Sequence, residues 1–130
     1  MLRTTYAQYE IELYDDNHIY EWETWSAFLE DGLFTFCWTM IEKAPNDGIY
    51  RNYWKLDQEN TDKLLQCIMR DDCIMIPKTA SGWGDQLLQM EKMAKNILDA
   101  AYEHFNGPLC KKRFLGYCKE HDVVSQEYWG

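Results

Sequence analysis

The first 56 residues alternate between apolar and polar side chains with a period of two, a pattern typical of antiparallel strands. Four runs show this alternation: residues 7–14, 19–24, 33–41 and 49–56. The polar segment Asp15–His18 predicts a hairpin turn between the first two runs, and turn-forming residues at 45–48 separate the last two. The pattern predicts an antiparallel meander of about four strands over residues 1–56.

After residue 56 the apolar positions recur every three to four residues, as they do in amphipathic helices. Three helices are predicted, at about 57–70, 85–105 and 109–120. Asp57 is placed to cap the first helix, and Asn106-Gly107-Pro108 ends the second. Residues 57–130 are therefore expected to be mainly helical.

Shorter segments complete the prediction for the second half. Cys73–Ile76 is apolar and predicts a short strand or bend, and Lys78–Gly84 predicts a loop. Val123 and Val124 could return the chain to the sheet as a short C-terminal strand. The chain contains no internal repeat or linker. We therefore expect a single α+β domain over residues 1–130, with the meander packed against two to three helices.

The predicted hairpin gathers carboxylates on one face of the sheet. With a four-residue loop, Glu12 pairs with Glu21, and in the same register Glu10 pairs with Glu23. Like charges directly opposite each other destabilise a sheet by a few tenths of a kcal/mol. The arrangement therefore indicates a docking face for a cationic partner, or else a solvated face that tolerates this small cost.

The distribution of charge supports the first interpretation. Nine carboxylates and ten aromatic residues, but no lysine or arginine, lie between Arg3 and Lys43. Residues 1–62 carry the whole net charge of −9, because residues 63–130 contain nine acidic and nine basic side chains. A field of one sign attracts and orients a cationic surface.

Composition limits the cellular setting and the class of protein. No run approaches the ~18 continuous apolar residues that span a bilayer, and the N-terminal residues lack the apolar core of a secretory signal. Five cysteines without a C-x-x-C motif fit reduced thiols. We therefore expect a cytoplasmic protein that does not enter membranes.

The sequence contains no recognisable catalytic or metal-binding constellation, so no catalytic residue, metal or cofactor is expected. Cys110, Cys118 and His121 lack the spacing of a zinc finger. The carboxylates lack a calcium-binding loop, and Gly82-Trp83-Gly84 lacks the phosphate-binding patterns. Direct binding of nucleic acid is not expected, because the overall negative field repels phosphates.

These observations favour an acidic inhibitor that occludes a basic surface of a partner protein. Nucleic-acid-processing enzymes expose such surfaces, and small acidic α+β proteins of the toxin-immunity and phage anti-defence types bind them. The expected partner-binding residues are Glu10, Glu12, Asp15, Asp16, Glu21, Glu23, Trp25, Glu30, Asp31 and Trp83. The alternatives are a structural subunit of an oligomer, and a small-molecule-binding protein or small enzyme with a pocket near Trp83.

Overall fold

A computed structural model describes the backbone of residues 2–5, 8–71 and 83–130, and the side chains of residues 9–68, 70 and 92–130. The strands are β1 (Leu2–Thr5), β2 (Gln8–Asn17), β3 (Glu21–Glu30), β4 (Leu33–Glu42), β5 (Ile49–Lys55) and β6 (Gln126–Trp129). The helices are α1 (Gln58–Asp71), α2 (Trp83–Phe105) and α3 (Cys110–Glu120). The predicted α+β class is confirmed, and β1 adds a strand to the predicted meander.

The six strands form one antiparallel sheet in the order β1-β2-β3-β4-β5-β6. The helices connect β5 to β6 and pack on one side of the sheet, which we call the helix-side face; the other side is the outer face. The predicted C-terminal strand is present, but it begins at Gln126 rather than at Val123 or Val124.

A two-residue turn fixes the register between β3 and β4. Asp31 and Gly32 have φ angles of 52° and 78°, and they join Glu30 directly to its partner Leu33. Two positive φ angles are typical of the type I′ turn, whose twist matches that of the flanking strands. Glycine adopts such an angle without strain, and aspartate is among the residues that tolerate it best.

The predicted register between β2 and β3 is wrong. Strand β2 continues through Asn17, and the loop consists of residues 18–20. The side-chain Nζ of Lys43 donates hydrogen bonds to the Asn17 side chain and to the carbonyl oxygen of His18, and its backbone N–H donates to Tyr20. These contacts from the end of β4 hold residues 15–17 in the strand, although aspartate and asparagine are poor strand formers.

The correct register separates the carboxylates that the sequence placed together. Glu10 lies opposite Phe28 and Glu12 opposite Ser26, both on the outer face. Glu21 and Glu23 lie on the helix-side face. A bulge at Leu13 changes the alternation of β2, so that Tyr14 faces Trp25 and Asp15 returns to the outer face.

The core lies between the helix-side face and the helices, with Phe114 of α3 at its centre. The Phe114 ring stacks on Phe36 at 4.5 Å between centroids and on Phe34 at 5.9 Å. Phe105 of α2 meets the same ring edge-on at 5.5 Å. All four rings are fully buried, so Phe114 joins the sheet to two helices.

Side-chain hydrogen bonds attach α1 to the sheet and to the C-terminal segment. The predicted cap is confirmed: Asp57 Oδ1 accepts the backbone N–H of Asn60 at 2.9 Å, and this bond lowers the pKa of Asp57. Thr61 Oγ1 accepts the N–H of Phe34 at 3.1 Å. Asn60 Oδ1 accepts the N–H of Val124 at 2.8 Å.

Helix α2 begins at Trp83, two residues before the predicted start, and ends at Phe105 as predicted. Gly107 follows with a φ of 98°, the left-handed conformation that favours glycine after a helix. The predicted strand or bend at Cys73–Ile76 and the predicted loop at residues 78–82 lie outside the described residues.

Replacing Phe114 tests the central position of its ring. We expect Phe114→Ala to lower the free energy of unfolding by about 3–5 kcal/mol, because the cavity would remove ring contacts with three neighbours. Lys112→Ala, an exposed change in the same helix, should stay within about 0.5 kcal/mol of the parent protein. Urea unfolding measures both values; equal losses would contradict the assignment.

Candidate functional site

The outer face of the sheet is concave and forms a hollow with a cavity volume of about 500 Å³. Hydroxyl and thiol groups line its centre: Thr24, Ser26, Thr35, Cys37, Thr39 and Tyr53. Glu10 and Glu30 lie on the acidic side of the hollow, whereas Arg51 and Lys55 lie on the other side. Two to three strand spacings, or roughly 10–14 Å, separate the two sides.

This balance of charge changes the interpretation of the glutamate face. Arg51 and Lys55 share the outer face with Glu10 and Glu12, so this face is not a surface of one sign. Burial is the main cause that raises the pKa of the Cys37 thiol, while Arg51 lowers it and Glu10 raises it. The outer face is therefore polar and mixed in charge.

A predominantly acidic surface lies instead at one end of the sheet, which we call the distal end and define as residues 15–23 and 40–50. It carries six carboxylates: Asp15, Asp16, Glu21, Glu23, Glu42 and Asp47. Lys43 is the sole lysine or arginine in these ranges, and its Nζ contacts Asn17 and His18 rather than a carboxylate. The distal end therefore keeps a strong negative charge.

Neutral donors hold several of these carboxylates in place. The indole Nε1 of Trp22 donates to Asp15 at 3.3 Å, and that of Trp25 donates to Glu23 at 3.1 Å. The Tyr50 hydroxyl donates to Glu42, which raises the pKa of Tyr50. Neutral donors fix the positions of the carboxylates without cancelling their charge.

Cross-strand pairing places like charges at directly opposite positions of the distal end. Glu21 of β3 lies directly opposite Glu42 of β4, and Glu23 of β3 lies directly opposite Asp16 of β2. The pKa of the nearby Tyr14 phenol is raised, first by desolvation and then by Asp16 and Glu23. Packing does not favour such pairs, because directly opposed like charges destabilise a sheet.

Exposed apolar side chains accompany the acids. Ten large apolar side chains of the described residues are exposed, and five of them belong to the distal end: Ile19, Tyr20, Trp22, Ile49 and Tyr50. Ile19 is 83% exposed and Tyr20 is 82% exposed. Folding leaves these side chains in water, and a concentration of them is typical of a surface that binds a partner.

The structure divides the predicted partner-binding residues among several places. Asp15, Asp16, Glu21 and Glu23 belong to the distal end. The remaining carboxylates lie elsewhere: Glu10, Glu12 and Glu30 on the outer face or its margin, and Asp31 in the turn at the opposite end of β3.

The two predicted tryptophan anchors are also in separate places. Trp25 is half-buried, and its ring lies 5.4 Å from Phe36 and 6.0 Å from Trp54, so it packs against the core. Trp83 is the first residue of α2, and its side chain lies outside the described residues.

Glu42 and the exposed Trp22 belong to the distal end but are absent from the predicted partner-binding residues. One sequence pattern does predict the positions of both residues. An Asp-Gly pair between two alternating runs predicts a two-residue hairpin turn. Counting outward from Asp31–Gly32 pairs Glu21 with Glu42 and places Trp22 on the face away from the core.

The described ranges contain no group of three or more histidine, cysteine, aspartate or glutamate side chains that could hold a metal ion. No helix within them is long and apolar enough to cross a membrane. No protein-family model, curated protein or solved structure matches this chain. The proposed function therefore depends on the charge and exposed side chains of the distal end.

Burial should protect three thiols from alkylation. It raises the pKa of Cys110 to about 11 and that of Cys118 to about 12, and it also raises the pKa of Cys37. Raised values keep a thiol protonated at pH 8 and unreactive. With iodoacetamide followed by peptide mass mapping, we expect the partly exposed Cys67 to be modified first among the four cysteines that the structure describes. Faster modification of Cys110 or Cys118 in the folded protein would contradict this order.

The opposed pair of glutamates gives a second expectation. Glu21→Lys should raise the free energy of unfolding by roughly 0.2–1 kcal/mol, because it replaces a repulsive cross-strand pair with an attractive one. Glu30→Lys is the matched control, since Glu30 is also in β3 but lies opposite Leu33 and Gln8. Thermal unfolding compares the two variants; a Glu21→Lys protein no more stable than the control would contradict the pairing argument.

Proposed function

We propose that this protein is an inhibitor that binds a basic protein and occludes its cationic surface through the distal end. The observation that carries the proposal is the coincidence, on one end of the sheet, of six carboxylates with five exposed apolar side chains. The partner class is a nucleic-acid-processing enzyme, because such enzymes expose lysine and arginine where they contact phosphates.

Charge and apolar contact have different parts in this function. The negative field of the distal end steers a cationic surface toward it, which increases the rate of association. Tyrosine and tryptophan supply contact area at low conformational cost and are enriched among the residues that dominate binding energy. Tyr20 and Trp22 are placed to form such contacts beside Asp15 and Glu21.

Occlusion is a sufficient mechanism and requires no catalytic group. A carboxylate surface that occupies the lysines and arginines of the partner competes directly with the phosphates of its substrate. The fold suits this purpose because hydrogen bonds to Asp15, Glu23 and Glu42 hold the carboxylates in place before binding, which lowers the entropic cost of association.

Charge reversal at the distal end tests the proposal. Partners captured by the parent protein from host lysate would be identified, purified and titrated against three proteins: parent, Glu21→Lys/Glu42→Lys and Asp62→Lys/Glu103→Lys. The last pair lies on α1 and α2, is exposed, and changes the net charge by the same amount. We expect the distal variant to bind at least tenfold more weakly, and the helix variant to bind nearly as the parent does.

Two further readouts complete the test. Affinity for the partner should fall as salt rises, and the parent protein should displace a labelled oligonucleotide from the partner. Binding that is indifferent to salt and equal in all three proteins would overturn the proposal and favour an apolar subunit contact.

A further inference from the structure

A buried amide on β5 has an oxygen without a hydrogen-bond partner. Asn52 is 3% exposed, and its Nδ2 donates to Glu127 Oε1 at 3.2 Å. Because a carboxylate can only accept, this contact fixes the orientation of the amide and directs Oδ1 away from Glu127. Among the described residues, Asn52 Oδ1 is the one buried side-chain nitrogen or oxygen left unsatisfied. Burying an unpaired acceptor is costly, so this position calls for a donor.

Two tryptophans meet above this amide. Trp38 of β4 and Trp129 of β6 lie directly opposite Asn52 on its two sides. Their strands are two spacings apart, roughly 9.6 Å, whereas their ring centroids are 6.5 Å apart and nearly perpendicular. The rings therefore lean toward each other over Asn52. Trp129 is 72% exposed on a four-residue edge strand, so its indole is packed on one side only.

The carboxylates and aromatic rings around Asn52 favour a cationic donor. Glu127 lies beside the amide, and Glu23 lies on the same face, one row along the sheet from Trp38. Cations already lie over other aromatic rings of this chain. Lys111 Nζ is 5.3 Å from the centre of the Trp54 ring, and Lys55 Nζ is 5.4 Å from each of two tyrosine rings. Aromatic faces and carboxylates together bind cations well.

We propose that Asn52, Trp38 and Trp129 form a pocket for an arginine side chain of the basic partner. The guanidinium donates an N–H to Asn52 Oδ1 and stacks on the indole rings. Arginine suits the pocket better than lysine, because its guanidinium is planar, weakly hydrated and able to stack. The site is closed in this structure, and it opens when the exposed Trp129 side chain rotates outward, a motion of picoseconds to nanoseconds.

The pocket rests on the proposed function, since it names the group of the partner that anchors there. Its place on the sheet agrees with that function. Met40 and Tyr50 of the distal end lie two residues along their strands from Trp38 and Asn52, on the same face. A partner bound at the distal end can therefore reach the pocket.

Titration with defined peptides tests the pocket without the partner. Acetyl-Gly-Arg-Gly-amide is the probe, and the peptide with citrulline in place of arginine is its neutral match. In ¹H–¹⁵N spectra we expect the arginine peptide to shift the indole signals of Trp38 and Trp129 and the side-chain amide signal of Asn52. A dissociation constant on the order of millimolar is expected for one side chain. The citrulline peptide should bind at least tenfold more weakly.

Three variants locate the binding. Asn52→Leu removes the unsatisfied oxygen at nearly constant volume, so it should abolish the shifts while leaving thermal stability equal or higher. Trp129→Ala, on the exposed edge strand, should weaken binding of the arginine peptide at least tenfold. Tyr102→Ala removes an exposed aromatic side chain from α2 and should leave the titration unchanged.

Several results would overturn the proposal. Equal shifts with citrulline would exclude recognition of charge. Shifts that survive in Asn52→Leu would indicate attraction to the acidic field in general. An absence of shifts with either peptide would mean that water alone satisfies Asn52. Each of these results leaves partner capture by the distal end untouched, because that experiment depends on Glu21 and Glu42 instead.

Discussion

Every surface of this protein depends on strand register, because a slip of one residue exchanges the two faces of a sheet. Two local features set the register: the turn at Asp31–Gly32 and the bulge at Leu13. The core requires the same register, since Phe34 and Phe36 must both face Phe114. The constraint that buries the phenylalanines therefore also decides which carboxylates share a surface.

The sequence was sufficient to predict β2 to β5 and the three helices, but it did not predict β1 or the pairing of β2 with β3. Alternation identified β2 to β5, and local chemistry at Asp57 and Gly107 marked the start of α1 and the end of α2. The β2–β3 register failed because Asp15–His18 has the composition of a turn. Contacts from Lys43, distant in sequence, extend β2 to Asn17 and override that local preference.

The error in one hairpin explains why the candidate site was only partly predicted. The acidic character of the first half and four of its distal carboxylates were visible in the sequence. Their separation from Glu10 and Glu12, and the presence of Arg51 on the outer face, follow from register alone. The distal end is also where local rules are broken: Glu21 opposes Glu42, and Ile19 is exposed to water. Natural sequences break such rules mainly at functional sites.

The negative charge of the distal end and the aromatic contacts act over different distances. This difference sets the order of the steps in the proposed binding. The charge of the distal end acts over about a Debye length, roughly 8–10 Å, before any atoms touch. In the proposed complex, Tyr20, Trp22 and the pocket at Trp38 and Trp129 would contribute only after water has left the interface. Removing distal carboxylates should therefore act mainly on the rate of association, and removing an anchor mainly on the rate of dissociation. In the proposed function, charge would bring the cationic partner to the distal end and aromatic contact would retain it.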